Sequence, residues 1–210
     1  MAQQRGACLV IACGALAREI TALRAASGWD GLAVQCLPAE LHNHPERIPE
    51  AVGSAIAAAR AQYRRIFVAY GDCGTGGRLD AVLEREGVER LPGAHCYEFY
   101  AGPRDFAALA DAEPGSFYVT DFLARHFERL VITGLGIDRH PELQPIYFAH
   151  YKRLVYLGQT ADAGARATLR DLARRAAERL GLEFCEHPTG YGALQLRLAR
   201  FHGEQAAWPS

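Results

Sequence analysis

At 210 residues the chain is long enough to bury a full core, most simply as one domain, with a two-lobed or three-lobed subdivision also within its reach. Half of the residues are hydrophobic and 22% are charged, and 23 Lys and Arg balance 24 Asp and Glu to a net charge of −1, which argues against nucleic acid or an anionic membrane as partner. No apolar run approaches the ~20 residues that span a bilayer, and Met1-Ala2-Gln3-Gln4-Arg5-Gly6 holds no signal-peptide core before the first strand; a cytoplasmic protein is expected. In that compartment six cysteines stay reduced, so metal binding or catalysis is a better reading of them than a disulfide framework.

Strands and helices alternate along most of the chain. Leu9-Val10-Ile11-Ala12 reads as a buried parallel strand, Cys13-Gly14 as a turn and Ala15 to Ile20 as a helix start. Leu32 to Leu37 is a second strand, followed by a loop from Pro38 to Pro49 that carries His42 and His44. The spacing then predicts a helix from about Glu50 to Tyr63, a third strand at Ile66-Phe67-Val68-Ala69, a helix from Arg78 to Glu84 and a short strand near Val88 to Leu91. The middle is more helical. Arg104 to Ala112 and Thr120 to Leu130 are amphipathic, with a short strand at Phe117-Tyr118-Val119, and His140-Pro141-Glu142 opens a further helix towards Tyr151. Arg153 to Gly158 reads as strand, Ala161 to Leu180 as a long helix, Leu182 to Cys185 as strand, and Leu194 to Leu198 as a strand closing the sheet. This order predicts an α/β fold, layered, with a mostly parallel sheet flanked by helices. Several strands end on glycine, so pseudo-repeated β-α units are a variant of the same fold.

Ligands of open α/β sheets collect beyond the carboxyl ends of the strands. Cys13, Cys73 and the His95-Cys96 pair are all placed there, and His42 lies in a loop that reaches the same edge. Cys73 sits on the turn Tyr70-Gly71-Asp72-Cys73-Gly74-Thr75-Gly76-Gly77, where helix amides would favour a thiolate. Cys13, Cys73 and Cys96 with His42 and His95 form a plausible metal constellation: thiolate and imidazole together suit zinc, and three thiolates suit a [4Fe–4S] cluster. A metal-free nucleophilic cysteine and ordinary buried thiols stay open as alternatives. Cys8 and Cys36 read as core residues, and Cys185 ends a strand and is left undecided. Gly74, Gly76 and Gly77 offer amides to an anionic group of a small substrate, with no P-loop or dinucleotide signature. Glu98 reads as a general base or as a partner holding His95. Thr120 or Asp121 is a helix cap, and Asp138 and Arg139 lie in a glycine-rich loop that could line a pocket.

These motifs have a relative. Ile11-Ala12-Cys13-Gly14-Ala15-Leu16, Leu41-His42-Asn43, Tyr70-Gly71-Asp72-Cys73-Gly74 and His95-Cys96-Tyr97-Glu98-Phe99 resemble an uncharacterised family catalogued as domain of unknown function 1638. The resemblance continues through Thr120 to His126 and Gly134 to His140. It implies no reaction. It does imply a context, because members of that family lie near genes for corrinoid-dependent methyl transfer from methylamines and related compounds.

The expectation is therefore a metal-dependent enzyme acting on a small metabolite of one-carbon metabolism. Cys13, Cys73 and Cys96 would be its metal ligands, and the cofactor zinc or a [4Fe–4S] cluster with a slight lean to the cluster. His42 and His95 would be further ligands or proton carriers. The alternative is a non-enzymatic metal- or corrinoid-handling accessory protein with a methyltransferase partner.

Overall fold

A computed structural model describes residues 8–203, which leaves the expected lead-in at Met1–Gly6 outside the described residues. The chain divides into two compact units, residues 1–96 with 193–210, and residues 97–192. Each holds its own parallel sheet, so the fold is α/β with parallel sheets flanked by helices.

The first unit is built from β1 (Cys8–Cys13), α1 (Ala17–Ser27), β2 (Leu32–Leu37), α2 (Ile48–Ala59), β3 (Arg65–Ala69), α3 (Arg78–Glu86) and β4 (Glu89–Arg90). β1 is a continuous apolar run because it lies in the sheet interior: Val10, Ile11 and Ala12 are fully buried. Strand order is β2-β1-β3-β4, all parallel, with Cys13 opposite Leu37 and Ala12 opposite both Cys36 and Ala69. The chain moves outward from β1 to β2 and then returns to the other side of β1 for β3. Connections thus leave the sheet in opposite directions at β1 and β3, the topological switch point where open α/β sheets hold their ligands.

The second unit comprises α4 (Tyr97–Ala101), α5 (Pro103–Ala112), β5 (Ser116–Thr120), α6 (Asp121–Arg125), α7 (Leu143–Tyr147), β6 (Arg153–Gly158), α8 (Ala163–Leu180) and β7 (Glu183–Pro188). Its strands follow chain order, β5-β6-β7, and its sheet has no switch point. Val119, Leu154 and Tyr156 pack there with Leu169, Ala173 and Ala177 of α8. The helix expected from Thr120 to Leu130 is broken: α6 stops at Arg125 and a π-helical turn spans Glu128–Thr133. Cys185 lies within β7, opposite Val155, rather than at a strand end.

α9 (Gly192–His202) brings the chain back to the first unit. The sequence predicted a closing strand at Leu194 to Leu198, but this segment is helical. Leu194 and Leu198, one helical turn apart, are fully buried, whereas Leu196 is 38% exposed. Phe201 packs on Phe67 and His202 stacks on Trp29.

Candidate functional site

The carboxyl edge of the first sheet gathers the expected residues through two close backbone approaches. Cys13 ends β1, and Gly14 then opens a 3-10 turn. A Cβ on Gly14 would lie 2.9 Å from the Leu37 carbonyl oxygen and 3.2 Å from the Ala39 nitrogen, so the bare glycine lets the segment after β2 run against it. That segment forms a 3-10 helix, Ala39–Asn43, and brings His42 Nδ1 to 3.9 Å from the Cys13 sulfur. On the other side of β1, a Cβ on Gly71 would meet the backbone of Gly93 and His95 at 3.2 Å. There Asp72 and Cys73 donate their amides to Gly93 and Ala94 at 3.0 and 2.7 Å, joining the loop after β3 to the loop after β4.

That second loop is held by Arg90. Its guanidinium grips Asp80 of α3 at 2.6 and 2.8 Å and donates to the carbonyls of Leu91 and Gly93 at 2.7 and 3.2 Å. His95 and Cys96 follow immediately. The Cys73 sulfur accepts hydrogen bonds from the amides of Gly71 and Cys96, which places Cys96 backbone at the Cys73 thiol. Cys73 itself has φ of +49°, the one non-glycine in the left-handed region among the described residues. Such a conformation is costly for a residue with a Cβ and tends to persist at functional positions.

The thiols form a buried floor and the imidazoles a rim: Cys13, Cys73 and Cys96 are buried, whereas His42 and His95 are open to solvent. Amides do reach the sulfurs, from Ala15 to Cys13 and from Gly71 and Cys96 to Cys73. Burial nevertheless outweighs them. It pushes the Cys13 thiol up to about 12 and raises Cys73 as well, so both are neutral thiols at pH 7, contrary to the expected thiolate. Although His42 keeps exposed surface, desolvation of its ring, then the neighbouring His95, lower it from the ordinary imidazole value.

Two expectations are corrected by the local geometry. The helix amides assigned to Cys73, and through Gly76 and Gly77 to a substrate anion, are engaged by Asp72. Its carboxylate accepts the Thr75 hydroxyl at 2.6 Å, the Gly77 amide at 2.9 Å and the Gly76 amide at 3.1 Å, and these bonds hold it down at about 2. An anion arriving there must displace Asp72, and the third glycine, Gly74, faces the Pro45 ring. Cys36 is not core but exposed on the edge strand β2, where it adds to the electrostatic environment of Cys13. Glu98, read as a general base or a partner holding His95, lies in α4, in the second unit.

Sequence reasoning missed Tyr70. It directly follows β3 and is 1% exposed, and its hydroxyl lies against the Cys13 thiol. Its nearest electrostatic neighbours are Cys13, Cys73 and Cys36.

A family described as protein of unknown function (DUF1638) matches residues 36–198. The chain belongs to this family. The DUF1638 match takes in Cys36, His42, Tyr70, Cys73, His95 and Cys96, and begins after Cys13. No curated protein and no solved structure matches the chain. No described helix is long and apolar enough to cross a membrane.

In the second unit, Asp138 and Arg139 pair only loosely, at 4.0 Å. Thr120 caps α6, accepting the Leu123 amide, and Asp121 turns instead to the neighbouring strand end. Its carboxylate accepts the Tyr156 hydroxyl at 2.6 Å and the amides of Thr160 and Gln159 at 2.9 and 3.2 Å, while its own amide donates to the Gln159 side chain at 2.7 Å.

Proposed function

We propose that the switch-point edge of the first unit is a metal centre on Cys13, Cys73 and Cys96, and that this DUF1638 member is a metal-dependent enzyme acting on a small metabolite of corrinoid-dependent one-carbon metabolism. The observation that carries this reading is Cys13 Sγ at 3.9 Å from His42 Nδ1, with the thiols of Cys73 and Cys96 buried at the same edge. Thiol and imidazole are donors that suit zinc or a [4Fe–4S] cluster.

Neither group has a ready-made set of ligands. Among the described residues, no group of three or more His, Cys, Asp or Glu is set to hold a single ion. Zinc at the Cys13–His42 pair would need its remaining donors to move inward. Either group, when bound, supplies a Lewis acid to a substrate held at its open position.

The chain's own residues manage protons and access. Cys13 must lose its proton to become a ligand. His42, neutral and 3.9 Å away, is placed to take that proton and pass it to solvent at the rim. Asp72 spends its charge on its own loop and keeps that loop closed beneath the thiols.

A second reading, the accessory protein that handles a metal or corrinoid for a methyltransferase, has its own support: Ile146, Tyr147 and Tyr151 of the second unit are 66, 45 and 38% exposed, an apolar surface for a partner.

Purification without oxygen, with iron, sulfide and zinc quantified alongside the visible spectrum, tests the centre. A brown protein whose broad absorption shoulder disappears in Cys13→Ala and Cys73→Ala supports the cluster. A colourless protein with one zinc, lost in the same variants, supports zinc. Stoichiometric levels of neither group would remove the metal reading.

A further inference from the structure

We propose that the first unit carries a second site, at the opposite end of β3 from the thiols, where Arg65, Arg197 and Arg200 bind a small phosphate-bearing metabolite. None of these residues belongs to the thiol edge, so the site stands or falls independently of the metal reading.

A cavity of about 390 Å³ is lined by Arg65, Phe67, Glu89, Arg197, Arg200 and Phe201, all in the first unit. Its size is that of a small-molecule site. The sheet explains what lines it. Arg65 and Phe67 are two residues apart on β3 and share a face, and Glu89 of β4 is the register partner of Phe67. α9 covers that face. Its Phe201 packs on Phe67 with ring centroids 5.2 Å apart, and Arg197 and Arg200 ride three residues apart on the same helix surface.

Three guanidiniums meet one carboxylate there, so the cavity is cationic. Like charges three residues apart on a helix repel, and a cleft lined by one sign of charge concentrates the opposite ion. Arg65 stacks on the Phe201 ring, 4.6 Å from its centroid. That contact fixes the guanidinium while leaving its in-plane N–H donors unspent. Among the described residues neither Arg65 nor Arg200 donates to a carboxylate.

A single carboxylate accepts one guanidinium fork, whereas a phosphate dianion offers three oxygens to forks from several sides. Three arginines on one cavity therefore match a phosphate group. Phe67 and Phe201 form an apolar wall beside them, which lowers the local dielectric and strengthens the attraction. The adjoining cavity, about 530 Å³, shares Glu89 and Arg197 but adds Asp80 and Glu84 to its lining, so an anion is confined to the arginine side. A phosphate bound there ties α9 to β3.

The probes are inorganic pyrophosphate and citrate, titrated calorimetrically into the full chain at low salt. The variants are Arg65→Gln, Arg200→Gln and, as a control, Arg64→Gln, an exposed arginine outside the cavity. Pyrophosphate should bind in a single class of site and raise the melting temperature. Arg65→Gln and Arg200→Gln should each weaken it about 10-fold or more, and Arg64→Gln by less than about twofold. Without anion, Arg200→Gln should melt at the wild-type temperature or above, because it thins the crowd of like charges. An Arg200→Gln protein that melts several degrees lower without anion would assign that arginine to the fold and overturn the proposal. So would an absence of pyrophosphate binding at millimolar concentration, or equal weakening in all three variants, which reports only a general positive field. Citrate binding as tightly as pyrophosphate would overturn the phosphate assignment in favour of carboxylates.

Discussion

Tyr156 in the second unit is as deeply buried as Tyr70 in the first, and both stand near the carboxyl edge of a parallel sheet. Tyr156 donates to Asp121 at 2.6 Å, and the same carboxylate takes the amides that follow β6, so the strand ends of that unit are sewn together. Around Tyr70 the corresponding place holds, among the described residues, no carboxylate but thiols, Cys13 nearest the phenol, and His42 beside Cys13. The topologies differ in the same sense. The β2-β1-β3-β4 order opens a switch point and the β5-β6-β7 order does not. One architecture can thus be finished as a structural block or left unfinished as a site, and the polar groups at the strand ends reveal which.

Asp121→Ala should give the largest effect on this contrast. It strands a buried phenol and two amides, and should cost about 3 kcal/mol, read as a lower urea midpoint. Tyr70→Phe in the other unit gives up only a contact to a thiol, a weak acceptor, and should cost clearly less; equal destabilisation by both would erase the distinction.

Gly14→Ala comes next. Its Cβ would meet the Leu37 carbonyl oxygen at 2.9 Å and push the His42 segment away from β1. A loss of about 2 kcal/mol is expected, together with faster alkylation of Cys13 as its cover loosens; unchanged stability and alkylation would mean the approach does not build the site.

Cys73 separates strain from packing. Glycine suits its φ of +49° and alanine does not, so Cys73→Gly should be more stable than Cys73→Ala by about 1 kcal/mol. Both should lose bound metal alike. A more stable alanine variant would show that the left-handed conformation stores nothing.

The smallest effect concerns acid. The Asp72 carboxyl is held at about 2, below its ordinary value near 3.8, so its stabilisation is complete above pH 4 and fades as the pH falls towards 2. Asp72→Asn should flatten the acid limb of the stability curve by about 1 kcal/mol, reduced by solvent screening at a half-exposed loop. An unchanged acid limb would remove Asp72 as the latch of the Gly76-Gly77 turn.

What the sequence revealed and what it hid divide along range. Cys13 and Cys73 were legible because an apolar run that breaks at glycine marks a strand end wherever the strand sits. His42 followed from lying in the next loop of the same edge. The Asp72 latch was hidden because its hydrogen bonds need the positive φ of Gly76 and Gly77, a matter of turn conformation and not of residue type. Asp121 looked like a cap, its partners being on a strand far along the chain. Leu194, Leu196 and Leu198 alternate as a strand would, and only the burial of the first and third in α9 shows which period applies. Tyr70 was invisible for the opposite reason: a buried tyrosine after a strand is ordinary, and only the thiols around its hydroxyl set it apart.

The path of the chain has a consequence for its birth. The first unit is interrupted after Cys96 and resumes at Ala193, where α9 delivers Phe201 to Phe67 and His202 to Trp29. A ribosome makes the entire second unit before those contacts are available. During that interval Trp29 and Phe67 lack their α9 partners, and the thiol-bearing edge belongs to an incomplete body. Domains emerging from the ribosome fold largely as units, so the second unit, coded as an insertion, can be finished first. Any metal would then load late, after the last helix has closed the half that was begun first.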